Sequence, residues 1–278
     1  METKTNDIFL VPTDFSEVTE NAAVQAADSA KHLNFEVALL HVIDKNTKAE
    51  LKKEGKGPET VTEKLNELGN KLTKEFGVKV RSIAREGDIF TTIAEVAEEI
   101  KANLIFLGTH GKTGMQKLTG SFALKVITSS ETPTIVVQKR RFHGGINRIV
   151  VPITSDSGPW NKTKWAAYIS KQFDSEIILF HLPGDDLEDV ITMTTNHFKV
   201  NDVKHKVVTA ERGNFTKQVI DYATANDADL IMIMTNPEKG FKSFFLGSYD
   251  EDLIFNTSQI PVMCINPRDF NWKKIVPR

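Results

Sequence analysis

The chain has 278 residues, 40% of them hydrophobic and 26% charged, with 35 Lys and Arg against 37 Asp and Glu and a formal net charge of −2. That balance excludes a global electrostatic pull onto nucleic acid or anionic lipid, and a single cysteine, Cys264, excludes an internal disulfide or a cysteine-rich zinc site. No apolar run approaches the roughly 18 residues a membrane helix needs, and the opening Met-Glu-Thr-Lys-Thr-Asn-Asp has no apolar core, so the expectation is a soluble, cytoplasmic protein with no membrane or nucleic-acid partner.

Short apolar runs alternate with segments of helical period. Ile8 to Pro12 reads as a strand, and Ser16 to His32 as a helix with alanine at Ala22, Ala23, Ala26, Ala27 and Ala30. A strand over Glu36 to Ile43, a helix over Glu59 to Phe76 and a strand over Lys79 to Ala84 follow. Ile89 to Ala102 is a helix with Ile89, Ile93, Val96, Ala97 and Ile100 on one face; then come a strand at Asn103 to Leu107, a helix at Ser121 to Ser130 and a strand at Thr134 to Gln138. Leu104-Ile-Phe-Leu is apolar at every position, as in strands covered on both faces.

After Arg140-Arg-Phe-His-Gly-Gly-Ile, whose charge and paired glycines suit an exposed link, the pattern starts again. Ile8-Phe-Leu-Val-Pro-Thr-Asp returns as Arg148-Ile-Val-Val-Pro-Ile-Thr, and Arg85-Glu-Gly-Asp-Ile-Phe-Thr as Glu211-Arg-Gly-Asn-Phe-Thr. Asn103-Leu-Ile-Phe-Leu returns as Asp229-Leu-Ile-Met-Ile, Gly120-Ser121 as Gly247-Ser248, and Pro133-Thr-Ile-Val-Val as Pro261-Val-Met-Cys-Ile. The offset is 140 at the first proline and 126 to 128 thereafter, so the second half is about 14 residues shorter between its second and third strands. Two homologous domains are expected, 1–140 and 147–278, each a doubly wound parallel sheet of five strands in a tandem α/β chain.

Ligands of such sheets bind beyond the carboxyl ends of the strands, where strand order reverses. The unusual residues lie at two of those ends. Pro12-Thr13-Asp14-Phe15-Ser16 follows the first strand, and Gly108-Thr-His110-Gly111-Lys-Thr-Gly114-Met-Gln-Lys-Leu-Thr-Gly120-Ser121 follows the fourth. Glycines allow close backbone approach, and a helix N-terminus offers free N–H groups, which together make an anion cradle. Gly111-Lys112-Thr113 is not a P-loop, because Phe106 stands where that motif requires glycine. The first turn lacks the glycines of a dinucleotide fingerprint.

These residues resemble the universal stress protein family, in particular its tandem members, over nearly the whole chain in two copies. The resemblance implies an adenine nucleotide alpha hydrolase-like, Rossmann-like fold in each half. The family's nucleotide binders carry G-x2-G-x9-G-(S/T) after the fourth strand and an aspartate after the first. By that resemblance Asp14, in the turn with Pro12 and Thr13, contacts the adenosine moiety, Val42 beside His41 lines the adenine pocket, and Gly108, Gly111, Gly120 and Ser121 hold the phosphates of ATP or AMP, with or without Mg²⁺. His110 is a loop histidine that meets the ligand through its backbone. The match departs from the pattern in two places. Eight residues separate Gly111 from Gly120, one fewer than in the family, and in the second half the first two glycines are Met234 and Pro237 while Thr154 replaces the aspartate. Proline removes an N–H that would face phosphate, so the second site is expected to be degenerate.

Neither half presents a nucleophile with a base and an orienting acid. The expectation is a stress-response regulator that binds a nucleotide in its first domain without efficient turnover and has an unidentified protein partner. The alternatives are a nucleotide-free interaction module and a weak ATP hydrolase. By family resemblance the last strands, Ile135 to Gln138 and Val262 to Ile265, pair as an intramolecular pseudo-dimer, with a homodimer as a further level.

Overall fold

The computed structural model describes residues 7–110, 120–141, 145–154, 159–184, 187–235 and 248–266. The chain divides into two compact units, Met1–Lys139 and Arg140–Arg278.

The first unit runs β1 (Ile8–Pro12), α1 (Glu17–Leu33), β2 (Glu36–Ile43), α2 (Lys45–Glu54), α3 (Glu59–Phe76), β3 (Val80–Glu86), α4 (Ile89–Glu99), β4 (Leu104–Gly108), α5 (Gly120–Ser129) and β5 (Thr134–Val137). Its strands lie in the order β3-β2-β1-β4-β5, all parallel, with the order reversing between β1 and β4. This is the doubly wound sheet expected from the alternation of runs. β1 and β4 are buried along their whole length, because helices cover both faces. The five alanines of α1 are all fully buried, and their short side chains let the helix axis lie close to the sheet. α1 ends where Asn34 turns left-handed, at φ 56°, a conformation asparagine tolerates better than most residues.

The second unit repeats the scheme with β6 (Arg148–Ile153), α6 (Pro159–Phe173), β7 (Glu176–His181), α7 (Glu188–Val200), β8 (His205–Thr209), α8 (Phe215–Ala225), β9 (Leu230–Met234), α9 (Ser248–Ile254) and β10 (Val262–Ile265). Its strand order is β8-β7-β6-β9-β10, again parallel. The repeat extends to single hydrogen bonds. Asn103 Oδ1 accepts the Ile8 N–H at 2.9 Å, and Asp229 Oδ2, at the matching place, accepts the Arg148 N–H at 2.9 Å. Each bond pins the start of a first strand to the residue preceding a fourth.

The structure shifts some predicted boundaries and adds a helix. α4 stops at Glu99 rather than Ala102, with Lys101 at φ 53° just beyond it. α2 has no counterpart among the predicted elements. Among the described residues, no helix is long and apolar enough to cross a membrane.

Candidate functional site

In the first unit a pocket of about 600 Å³ opens at the carboxyl ends of β1 and β2. Its floor is Pro12, Thr13 and Asp14 with Leu40, His41 and Val42, and its walls come from α2, the start of α3 and the start of α4. Four of the sequence-predicted residues, Pro12, Thr13, Asp14 and Val42, are thus brought together. Gly108 ends β4 and His110 follows it, but neither lines this pocket. Gly120 opens α5, with Ser121 next to it in the same helix. Gly111 lies outside the described residues, as do Pro237 and Gly247.

The turn after β1 is built around Asp14. Its Oδ1 accepts the Ser16 N–H at 3.0 Å and the Thr19 hydroxyl at 2.9 Å, so it satisfies donors at the start of α1 that Ser16, the N-cap residue, does not. Asp14 Oδ2 makes no hydrogen bond among the described residues. Phe15, next in the turn, sits at φ 63°, a left-handed conformation that is unfavourable for a bulky side chain. Its ring stacks on His41 with centroids 4.9 Å apart and 16° between planes, and Lys64 Nζ lies 5.5 Å from the same ring.

His41 ties the pocket together. Its Nδ1 is 2.8 Å from the Thr13 carbonyl oxygen, which can only accept, so Nδ1 carries the proton. Nε2 faces the Thr47 hydroxyl of α2 at 3.4 Å. The homologous His181 instead places Nδ1 2.7 Å from the Leu182 carbonyl and Nε2 3.0 Å from Thr209. The two histidines share a strand position and a pattern, Nδ1 to a backbone carbonyl and Nε2 to a threonine hydroxyl, but His41 reaches α2 where His181 reaches β8.

Gly108 has a reason to be glycine that the spacing of glycines does not reveal. A Cβ there would stand 2.6 Å from the Val18 carbonyl oxygen and 2.8 Å from Thr19 Cα, so the first turn of α1 occupies the space a side chain would need. His110 Nε2 is buried and has no hydrogen-bond partner among the described residues. Among the described residues no three His, Cys, Asp or Glu side chains are grouped to hold a metal ion.

Several lining residues escaped the sequence pattern: Phe15, Lys64, Ile89, Ile93 and those of α2. For α2 a signal existed in Asp44-x-x-Thr47, a capping spacing, together with Gly55 one helix length on. In the structure Asp44 Oδ1 accepts the Thr47 N–H at 2.7 Å and Gly55 closes the helix at φ 65°. On the outer rim the Lys56 ammonium, 2.8 Å from Glu54, holds that carboxyl below the usual carboxylate range.

The corresponding region of the second unit differs in charge. Lys162 on α6 donates to the Pro152 carbonyl at the end of β6 at 2.5 Å. Burial pushes its amine down to about 8, against the opposing pull of the Asp250 carboxylate on α9. By the offsets of 140 and 127 residues, these two stand where the first unit has Ala22 and Ala123, both buried. Cys264 on β10 is fully enclosed, and burial, then the charge of Asp250, pushes its thiol well up, so it is a core residue and not a reactive thiolate.

Comparison with known proteins follows the same lines. Residues 5–138 match the family model described as the universal stress protein family. The chain is 38% identical over 138 residues to Universal stress protein MJ0531 of Methanocaldococcus jannaschii, covering 47% of this chain and 81% of that protein. It is 35% identical over 156 residues to Universal stress protein MJ0577 of the same organism, covering 47% and 94%. The crystal structure of a universal stress protein from Archaeoglobus fulgidus DSM 4304 superposes with a TM-score of 0.77 at 20% identity, covering 95% of this chain and 99% of that one, which is a likeness of fold. With the matched segment spanning the whole of the first unit's sheet, the chain belongs to the universal stress protein family.

Proposed function

We propose that the first unit binds an adenine nucleotide, ATP or AMP, in the pocket at the ends of β1 and β2, and that the protein acts in the cytoplasm as a nucleotide-responsive regulator of the stress response. The observation that carries this reading is the junction at Asp14. One carboxylate oxygen is committed to α1, and the other remains for a ligand in a pocket lined by Val42 and floored by strand ends. A ribose hydroxyl is the natural donor to such an oxygen. His41 Nε2 faces the Thr47 hydroxyl at 3.4 Å, but the partner of its Nδ1 is the Thr13 carbonyl and not an orienting acid, which supports binding without efficient turnover. In the second unit Thr154 replaces the aspartate, and we read that unit as silent toward nucleotide.

Calorimetry with ATP, ADP and AMP, with and without Mg²⁺, tests the reading on wild type and on Asp14→Asn. Asparagine can still accept the Ser16 N–H, so lost affinity reports ligand contact and not a lost cap. The expected result is one site per chain, weakened about tenfold or more by the substitution; absence of binding by wild type overturns the proposal.

The close packing of Gly108 against α1 favours a second reading, an interaction module that works without nucleotide, because that glycine is required with or without phosphate. Mass spectrometry of protein purified natively and then denatured separates the two: a released adenine nucleotide supports the first.

A further inference from the structure

Helix α2 turns toward the pocket the face that an ordinary surface helix turns toward its core. Its lining residues Thr47, Glu50, Leu51 and Glu54 follow the i, i+3, i+4, i+7 spacing of a single helical stripe. In a packed helix that stripe is apolar. Here it is mostly polar, and only Thr47 is buried within the protein. A helix gains little stability from propensity alone at this length, so a stripe that faces a cavity lacks the packing that normally holds such an element in place.

The two ends of α2 are held differently. At the N-terminal end the Asp44 cap, the Thr47 contact to His41 and an exposed ion pair, Lys48 to Glu86 at 2.6 Å, fix the helix to β2 and β3. At the C-terminal end the chain leaves through Gly55, whose missing side chain would meet nothing within 4 Å, and continues through Gly57 and Pro58. The arrangement is a helix tied to the sheet at its N-terminal end and joined to α3 at its far end by a short glycine-containing link. Among the described residues the second unit has no helix between β7, which ends at His181, and α7, which starts at Glu188.

We propose that α2 is the closing wall of the first unit's pocket, a helix that packs on the nucleoside end of the bound ligand, with Thr47, Glu50 and Leu51 as its contact residues. The proposal rests on the reading that this pocket takes an adenine nucleotide. Carboxylates accept from O–H and N–H donors and repel phosphate, so α2 meets the nucleoside end of the ligand, which adenosine, AMP and ATP share. The contact runs onward through His41, which joins Thr47 to the Thr13 carbonyl and stacks on Phe15, so closure of the wall and the geometry of the Asp14 turn are coupled.

The test uses the full chain, Leu51→Ala, Glu50→Gln, and a variant whose residues 44–58 are replaced by the six-residue link 182–187, each checked for an unchanged thermal midpoint of the second unit. Affinity and release rate are measured for adenosine, AMP and ATP, and amide exchange over 45–54 is followed with and without AMP. Expected are slower exchange in α2 on binding and release about tenfold faster in the variants, by a similar factor for all three ligands. If wild type binds and α2 exchange and all variant affinities stay within about twofold, the role of α2 is overturned while the binding reading stands. If wild type binds none of the three, both fall.

Discussion

A carboxylate after a strand can serve the helix that follows or a ligand beyond it; Asp14 gives Oδ1 to the helix, and the proposed site gives Oδ2 to the ligand. Substitution can separate the two uses. Asp14→Ala is expected to lower stability by about 1 kcal/mol through loss of the cap, whereas Asp14→Asn should unfold within a few tenths of wild type; chemical denaturation of both variants measures this. Gly108 offers the opposite case, a residue whose structural role is unambiguous. Gly108→Ala drives a methyl into the backbone of α1 and should destabilise the first unit by about 1–3 kcal/mol without any ligand present. Its place in a glycine-rich segment was readable in the sequence, but the reason was not, because the contact is with Val18 and Thr19, some ninety residues earlier.

At the scale of elements, what could be read depended on where the burial signal lay. The strands are enclosed on both faces, so their continuous apolar runs stand out, and β1 and β2 begin and end where the runs do. α2 was invisible to periodicity because Lys45-Asn-Thr-Lys-Ala-Glu-Leu-Lys-Lys-Glu contains two apolar residues, Ala49 and Leu51, and so has no apolar stripe. Its inward stripe is polar because a pocket, not a core, lies beneath it. Lys162 illustrates another limit. A lysine in the first turns of a helix reads as solvated, yet this one is half-buried with its amine on the Pro152 carbonyl, and burial lowers that amine to about 8 from 10.5. The folded state therefore gives up its proton before the unfolded state does. Below pH 8 both forms hold the proton and the charged amine destabilises the fold by a constant amount. Between about pH 8 and 10.5 only the unfolded chain is protonated, so stability rises with pH across that window. Unfolding of wild type and Lys162→Met from pH 7 to 10.5 should give a stability difference that shifts in favour of wild type by a few kcal/mol; a flat difference would mean that the amine is solvated.

For the whole molecule, the repeat is the feature that sequence conveys best, down to the paired bonds of Asn103 and Asp229. What it conveys least is which departures between the halves belong together. Lys162 and Asp250 are far apart in the chain, and each alone looks like an ordinary surface substitution for Ala22 or Ala123. In the structure the Asp250 carboxylate on α9 acts on the Lys162 amine on α6, so the two differences from alanine are coupled through charge. The helices of the two halves are consequently not interchangeable parts. Grafting α6 in place of α1 would bring a half-buried ammonium into the first unit with an alanine where its counter-charge should be, while grafting α6 and α9 together carries both members. A chimaera with the pair should melt well above one with α6 alone, and that gap would measure how far two copies of one ancestral fold have become separate proteins on a shared chain.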